Sequence, residues 1–314
     1  LGPGDEAITT PLTFAATANC VRYQGAMPVF ADVEADTMNI DVAAVSAAIT
    51  PRTKAILPVD YTGQPADLDE LMSLARAHGC VVIEDAAHSL GATYRGRRVG
   101  TLADMTVFST HPAKHITTGE GGAVATADSG LAARLKRFRT HGIASDPHER
   151  ATRGQWTYDM VELGFNYRIT DIQCALGTSQ LRHLDAWVER RRAIAARYDG
   201  AFAGHPALET PVIRPDRAAA WHLYVLRFRA GALRGGRAAA FRALHAENIK
   251  VNVHYVPVPW HPYYSSLGFR RGQWPVAEAA YERMVSLPMF SGMSDQDIDD
   301  VVAGALKVAR GLRA

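Results

Sequence analysis

Short apolar runs alternate with helix-like stretches over roughly the first 140 residues, and this constrains the fold more than any other feature of the chain. Glu6-Ala7-Ile8-Thr9 is strand-like, as are Lys54 to Asp60, Cys80 to Asp85, Asp104 to Ser109 and Gly122 to Thr126. Between two of these runs, Leu68, Leu71, Met72 and Ala75 recur at i, i+3, i+4 and i+7, which predicts an amphipathic helix ending at Gly79. Strands joined through helices by short links predict an α/β layer around a largely parallel sheet. In such sheets ligands gather at the carboxyl ends of the strands.

The remainder reads differently. Residues 143–160 are polar and irregular, and a mobile surface loop is expected there. One long helix is expected from about Asp171 through Glu189-Arg190-Arg191-Arg192 to Tyr198, with the charge run as a solvated face. Strands over 221–229 and 249–256, with helices near 237–247, 275–285 and 295–309, predict a smaller α+β unit. Ser294 has the character of an N-cap, with Asp297 at the third helical position. The expected division is a large unit over 1–200 and a small one over 201–314.

Composition removes several classes of function. Lys and Arg number 34 against 32 Asp and Glu, without a long basic run, so nucleic acid is not an expected partner. No uncharged apolar stretch reaches the roughly 18 residues of a transmembrane helix, so no membrane partner is expected. Cys20, Cys80 and Cys174 lie far apart with no CxxC, which speaks against a disulfide framework or a cysteine zinc site and for a reducing, cytoplasmic compartment. The chain opens Leu1-Gly2-Pro3-Gly4-Asp5, without Met or a signal-peptide pattern, and is expected to be a piece of a longer protein.

Several residues can carry chemistry. Asp85 ends an apolar run directly after Glu84; it is either a loop-facing carboxylate or one that holds a cationic ring or positions a ligand. No GxGxxG follows a predicted strand, which discounts a dinucleotide-site acid. Lys114 lies in His111-Pro112-Ala113-Lys114-His115-Ile116-Thr117-Thr118-Gly119-Glu120-Gly121-Gly122, a link whose N–H groups and hydroxyls can face an anion. A lysine there is either solvent-facing or a Schiff-base nucleophile, because a partly desolvated amine loses its charge more easily. His111 and His115 stand at i, i+4, but Pro112 disfavours a helix through them and no third ligand is near, so no metal site is expected. On spacing, Phe14 is a core aromatic at a helix start, and Asn166 and Arg168 belong to a capping turn before Thr170. His254 and Tyr255 follow strand-like Val251-Asn252-Val253, and Pro257, Pro259 and Pro262 enforce an extended course; His254 is either structural or ligand-facing.

Taken together and in order, three segments resemble the DegT/DnrJ-type sugar aminotransferases, pyridoxal-phosphate enzymes of fold type I. They are Ile83-Glu84-Asp85-Ala86-Ala87-His88-Ser89-Leu90-Gly91, the Lys114 segment through Gly122, and Gly164-Phe165-Asn166-Tyr167-Arg168-Ile169-Thr170-Asp171-Ile172-Gln173. The resemblance spans essentially the whole chain. It implies a large α/β domain around a mostly parallel sheet and a smaller α+β C-terminal domain. Val59 to Pro65, His111 to Gly122 and Asn252 to Val258 are similar in particular to the transaminases of pseudaminic acid biosynthesis. Perosamine-type and other 4-amino sugar transaminases share much of this pattern.

The resemblance implies roles by position. Lys114 bonds to the pyridoxal 5′-phosphate cofactor and, once freed, moves a proton as general base and acid. Asp85 pairs with the pyridinium nitrogen, so that the ring can take electrons. Phe14 stacks on the ring, His88 lies near its phenolic oxygen, and Ser109 binds its phosphate. Asn166 reaches that phosphate from a neighbouring subunit, which makes the site a property of a homodimer. Arg168, His254 and Tyr255 are implied on the nucleotide-sugar side. Glutamate is the implied amino donor and a UDP-linked 4-keto-6-deoxy sugar the acceptor. Sugar dehydratases among the relatives replace the lysine with His, and Lys114 speaks against that chemistry. A non-catalytic binding subunit is the remaining alternative. Relatives usually carry, upstream of the Gly2 to Glu6 turn, a Ser-Gly-Thr-like stretch that binds phosphate at a helix N-terminus, and that stretch is expected to precede this chain in the full protein.

Overall fold

This computed structural model describes every residue of the 314 except Asp146, with the side chains of Pro147 and Glu149 also left aside. Apolar side chains alternate between the two faces of the first strands. On β1 (Glu6–Thr9), Ala7 joins one buried cluster and Ile8 another; on β3 (Thr53–Leu57), Ala55 and Leu57 join the first cluster and Ile56 the second. A strand covered on both faces belongs in the middle of a parallel sheet. The six-stranded sheet runs β2 (Met27–Phe30), β1, β3, β4 (Val81–Asp85), β7 (Met105–Ser109), β8 (Gly122–Ala125). All neighbours are parallel except β8, which is antiparallel to β7.

Crossover helices cover the faces. They are α1 (Ala16–Tyr23), α2 (Val42–Ala48) and α3 (Leu68–His78). The predicted stripe of α3 is buried at Leu68, Leu71, Met72 and Ala75, and burial of such side chains contributes roughly 1.5–3 kcal/mol for each large one. Gly79 ends α3 at φ +66°, a left-handed cap that glycine adopts without a Cβ clash. In a small second sheet, β5 (Thr93–Tyr94) pairs with both β6 (Arg97–Arg98) and β10 (Arg217–Ala218).

Beyond β8 the chain forms α4 (Ser129–Phe138) and α5 (Pro147–Thr152), then α6 (Asp171–Leu181) and α7 (Leu184–Phe202). The region expected to be loop thus contains a short helix and an antiparallel bridge between Ile143 and Met160. The long helix is two helices. At the joint the His183 N–H donates to the Gln180 carbonyl, an i to i−3 bond, while Arg182 and His183 keep right-handed helical angles. No Gly or Pro marks that slip, so the sequence pattern runs through it. Arg191 does not lie on a solvated face. It falls on the buried stripe of α7 with Leu184, Val188, Ile194, Tyr198 and Phe202.

The C-terminal part adds β9 (Leu208–Glu209), β11 (Tyr224–Phe228) and β12 (Met284–Leu287), with β11 central and antiparallel to both neighbours. Helices α8 (Gly236–Ala246), α9 (Pro262–Ser266), α10 (Pro275–Arg283) and α11 (Asp295–Gly311) complete it. Two expected strands are shorter or absent. Residues 219–223 form a strap before β11, because the Ala220 and Leu223 N–H groups donate to the Gly63 and Thr62 carbonyls instead of to a sheet. Residues 249–256 make a single bridge, Asn252 with Ser286. The second half of α7 packs in the core of this C-terminal part, and Leu184 and Val188 pack against Ala86 and Ala92 of the sheet region.

Ser294 caps α11: its side chain accepts from the Asp297 N–H, and Asp297 returns the contact to the Ser294 N–H and hydroxyl. Ser294→Ala is expected to cost about 1 kcal/mol of unfolding free energy, read as a lower urea midpoint with unchanged m-value, and Ser294→Thr is expected to retain most of it.

Candidate active site

Asp85 stands at the carboxyl end of β4, in the middle of the sheet, where parallel strands deliver their ligand-facing residues. Its carboxylate is held from two sides. The Thr17 hydroxyl of α1 donates to Oδ2 at 2.7 Å, and the Ala87 N–H donates to Oδ1 at 3.1 Å. Behind it, Asp60 and Glu84 are fully buried; burial pushes both carboxyls above the usual range, and the Ser89 and Thr106 hydroxyls donate to them at 2.5 and 2.6 Å.

Lys114 follows β7 in a tight turn, where its N–H donates to the His111 carbonyl. Its amine is mostly buried. Burial lowers it to about 8 from the ordinary lysine value, and the nearby Asp85 carboxylate opposes that fall. Ser109 ends β7 and accepts from the His111 N–H at 3.3 Å.

A group of histidines encloses the amine. His88, just past β4, has its Nε2 3.1 Å from the Tyr255 hydroxyl, and its Nδ1 is buried without a partner among the described residues. The His222 ring lies 4.4 Å from that of His88 and 5.6 Å from that of His115, and His222 Nε2 lies 3.4 Å from Lys114 Nζ. Burial holds His88 and His222 well below the usual imidazole value, with the Lys114 charge adding to it. Burial and then the Arg191 charge lower His115 to about 3; burial and the Lys114 charge lower His254 to about 4. All four rings are therefore neutral near pH 7.

The C-terminal part closes one side. Phe14 and Tyr255 approach at 6.0 Å between ring centres, and burial keeps the Tyr255 hydroxyl protonated well past its ordinary range. His254 is partly structural: Nδ1 meets the Ser286 hydroxyl at 2.8 Å, and its carbonyl accepts from the Tyr61 hydroxyl. Phe14 is not a core aromatic. It precedes α1 and leaves 62% of its surface open.

Asp85, Lys114, His88, Phe14, Tyr255 and His254 are thus brought together through contacts or charge. Asn166 and Arg168 are not. Both are exposed, and Asn166 pairs with Thr140 in a bridge. Thr170 indeed caps α6, with Gln173 completing a capping box. His111 is exposed and His115 buried, and no group of three or more metal-ligating side chains occurs among the described residues. Sequence reasoning missed Thr17, His222 and Arg191. The first is one of many threonines, the second sits in an expected strand, and the third lies within a basic run.

A desolvated lysine facing a carboxylate at the carboxyl ends of a mostly parallel sheet is a constellation able to attack carbonyl carbon, and it defines a class of site before any particular enzyme. Comparison with known proteins makes the class specific. The profile of the DegT/DnrJ/EryC1/StrS aminotransferase family matches residues 1–306, and the chain belongs to that family. The spore coat polysaccharide biosynthesis protein SpsC of Bacillus subtilis is 42% identical over 99% of this chain and 81% of its own. Helicobacter pylori PseC, an aminotransferase involved in the biosynthesis of pseudoaminic acid, superposes with a TM-score of 0.92 at 32% identity, covering 99% of this chain and 81% of that one. Streptococcus pneumoniae Spr1654 in its PMP form gives 0.92 at 32% identity, covering 99% and 83%. The protein is a sugar aminotransferase of the pyridoxal-phosphate type, with the α/β fold of that group.

The residues present fit that cofactor. A held carboxylate, a desolvated amine, an open aromatic ring and an unpaired buried imidazole nitrogen converge at the strand ends.

Neutral buried histidines couple stability to pH. Their folded values are depressed, so the unfolded chain binds more protons and stability falls as pH drops below about 6.5. His115→Gln keeps a donor for the Ala220 carbonyl, which His115 Nε2 meets at 3.0 Å, and removes one such group. Between pH 6 and 4.5 the slope of unfolding free energy against pH is expected to become shallower by up to about 1.4 kcal/mol per unit, measured by urea titration at several pH values.

Proposed function

We propose that this chain moves an amino group from an amino acid, glutamate in particular, to C4 of a UDP-linked 4-keto-6-deoxy sugar, in pseudaminic acid or related surface-glycan biosynthesis. The observation that carries the reading is the Lys114 amine, desolvated to about 8 and facing Asp85 beyond the carboxyl ends of the sheet. The polysaccharide and pseudoaminic acid roles named for SpsC and PseC support the choice of sugar.

Pyridoxal phosphate, when bound, supplies an electron sink for the carbon that gains or loses the amine. The chain's own residues do the rest. Lys114 holds the cofactor covalently and then moves a proton as a base that is partly neutral at working pH. Asp85, fixed by Thr17 and Ala87, would pair with the ring nitrogen and keep it protonated. Phe14 would offer a face for the ring, His88 would stand near its phenolic oxygen, and Ser109 would help hold the phosphate. His254 and Tyr255, with Arg168 from the neighbouring subunit, would contact the nucleotide sugar. Two units, 1–200 and 201–314, meet across this site, with α7 contributing to both cores.

A homodimer completes the arrangement. Trp156, Leu163 and Ile172 are more than four-fifths exposed, and Tyr158, Met160 and Tyr167 extend the same stretch of chain. Exposed apolar side chains concentrated in one stretch suit burial against a second copy of the chain. Asn166 and Arg168 lie within that stretch, which supports their reaching the neighbouring subunit's site rather than their own. Three free thiols and the absence of a helix long and apolar enough to cross a membrane, among the described residues, accord with a cytoplasmic setting.

Borohydride reduction of the chain supplied with pyridoxal phosphate, followed by peptide mass spectrometry, is expected to place the pyridoxyl group on Lys114. Amination of UDP-linked 4-keto-6-deoxy sugar by glutamate should then be detectable and absent in Lys114→Ala; turnover of GDP-linked sugars alone would move the proposal to the perosamine-type enzymes. No adduct on Lys114 in this chain, and none after the upstream segment is restored, contradicts the reading altogether. Mixing Lys114→Ala and Asn166→Ala chains is expected to restore up to about a quarter of wild-type activity, because half the dimers then carry one intact site.

A further inference from the structure

His222 belongs to no helix or strand. It sits on the strap over residues 219–223, which is pinned hard. The Ala220 N–H donates to the Gly63 carbonyl at 2.9 Å, and Arg191 Nη1 donates to the carbonyls of Trp221, His222 and Met289 at 3.1, 3.3 and 3.1 Å. Trp221 takes φ +53°, uncommon for a bulky residue. Gly63 permits the approach: a Cβ there would stand 2.6 Å from the Trp221 nitrogen and 2.8 Å from the His88 carbonyl oxygen. The whole device delivers one imidazole into the space between His88, His115 and Lys114.

A buried histidine kept only for structure pairs with the backbone. His115 does so, placing Nε2 3.0 Å from the Ala220 carbonyl oxygen. His222 does not. Its Nδ1, like those of His88 and His115, is buried without a partner among the described residues; what sets it apart is Nε2, whose one polar contact is to the Lys114 amine and not to a carbonyl. We propose that His222 is a positioning residue whose Nε2 accepts a hydrogen bond from Lys114 Nζ, fixing where the amine stands and how tightly it holds its proton. This rests on the reading of Lys114 as the reacting amine.

The charges around the pair are accounted for. Asp85 faces Lys114 and favours its ammonium form, while His88, His115 and Arg191 surround His222 and disfavour a second positive charge on it. The imidazole therefore stays a neutral acceptor. An acceptor steadies an ammonium group, so its loss lowers the affinity of Lys114 for its proton.

The test is the pH dependence of Lys114 acylation by acetic anhydride in the full chain without cofactor, read by peptide mass spectrometry. His222→Phe keeps a ring between His88 and His115 and removes the acceptor; His222→Gln returns an amide oxygen near the place of Nε2. The half-labelling pH is expected to fall by about one unit in His222→Phe and to return to within about 0.3 unit of wild type in His222→Gln. With pyridoxal phosphate bound, kcat should drop about tenfold in His222→Phe with little change in KM for the sugar. An unchanged half-labelling pH in a folded His222→Phe chain overturns the proposal. Should that variant fail to fold, His222→Asn, which lacks an atom at the Nε2 position, carries the same two outcomes. Labelling needs neither cofactor nor sugar. A shifted midpoint in a chain that never takes up pyridoxal phosphate therefore supports the His222 contact and overturns the aminotransferase reading.

Discussion

Desolvation of one amine is the constraint on which the rest of this structure depends. Lys114 is buried enough to lose much of its preference for the charged form, yet Asp85 stands close enough to prevent the loss from being complete. That balance requires a site with little water and a single facing anion. The surrounding histidines supply the first condition without adding charge, since burial keeps His88, His115, His222 and His254 neutral. Thr17 and Ala87 supply the second by fixing both carboxylate oxygens.

The sheet explains why these groups meet. Parallel strands β4 and β7 are neighbours, with Asp85 opposite Val107, so Asp85 and Ser109 emerge at the same edge and Lys114 follows one turn later. The C-terminal part then folds back to add His222, His254 and Tyr255. Its hold on the sheet region is polar as well as apolar: Arg191 gathers three carbonyls, and the Tyr61 hydroxyl reaches the His254 carbonyl. Burying Arg191 is costly, and burial lowers its guanidinium to about 10, but its three carbonyl partners are those of the strap that carries His222 and of the segment after β12. Structural cost in α7 and positional order at Lys114 are therefore linked.

Much of this was legible in the sequence. The strands ending at Asp85 and Ser109 are apolar runs with clear punctuation, and the Lys114 link is short enough that its place at the sheet edge follows from its neighbours. The stripe of α3 and the cap at Ser294 depend on local chemistry alone. What was not legible depends on contacts distant in sequence. His222 reads as part of a strand because Trp221 and Leu223 are apolar, and only the approach of Gly63 turns the segment into a strap. Arg191 reads as surface because its neighbours Arg190 and Arg192 are partly exposed, whereas the helical phase places it inward. Asn166 and Arg168 read as site residues through resemblance, and within the single chain both stay exposed.

The account stands or falls on amino transfer through Lys114. The most direct measurement is a half-reaction: the chain loaded with pyridoxal phosphate is mixed with a panel of amino acids that includes glutamate, no sugar is added, and the keto acid released is counted against the protein. About one equivalent per chain from glutamate, and none from Lys114→Ala, is the predicted result for a single lysine-bound cofactor per site. Release of no keto acid from any amino acid, with the cofactor bound, would contradict it.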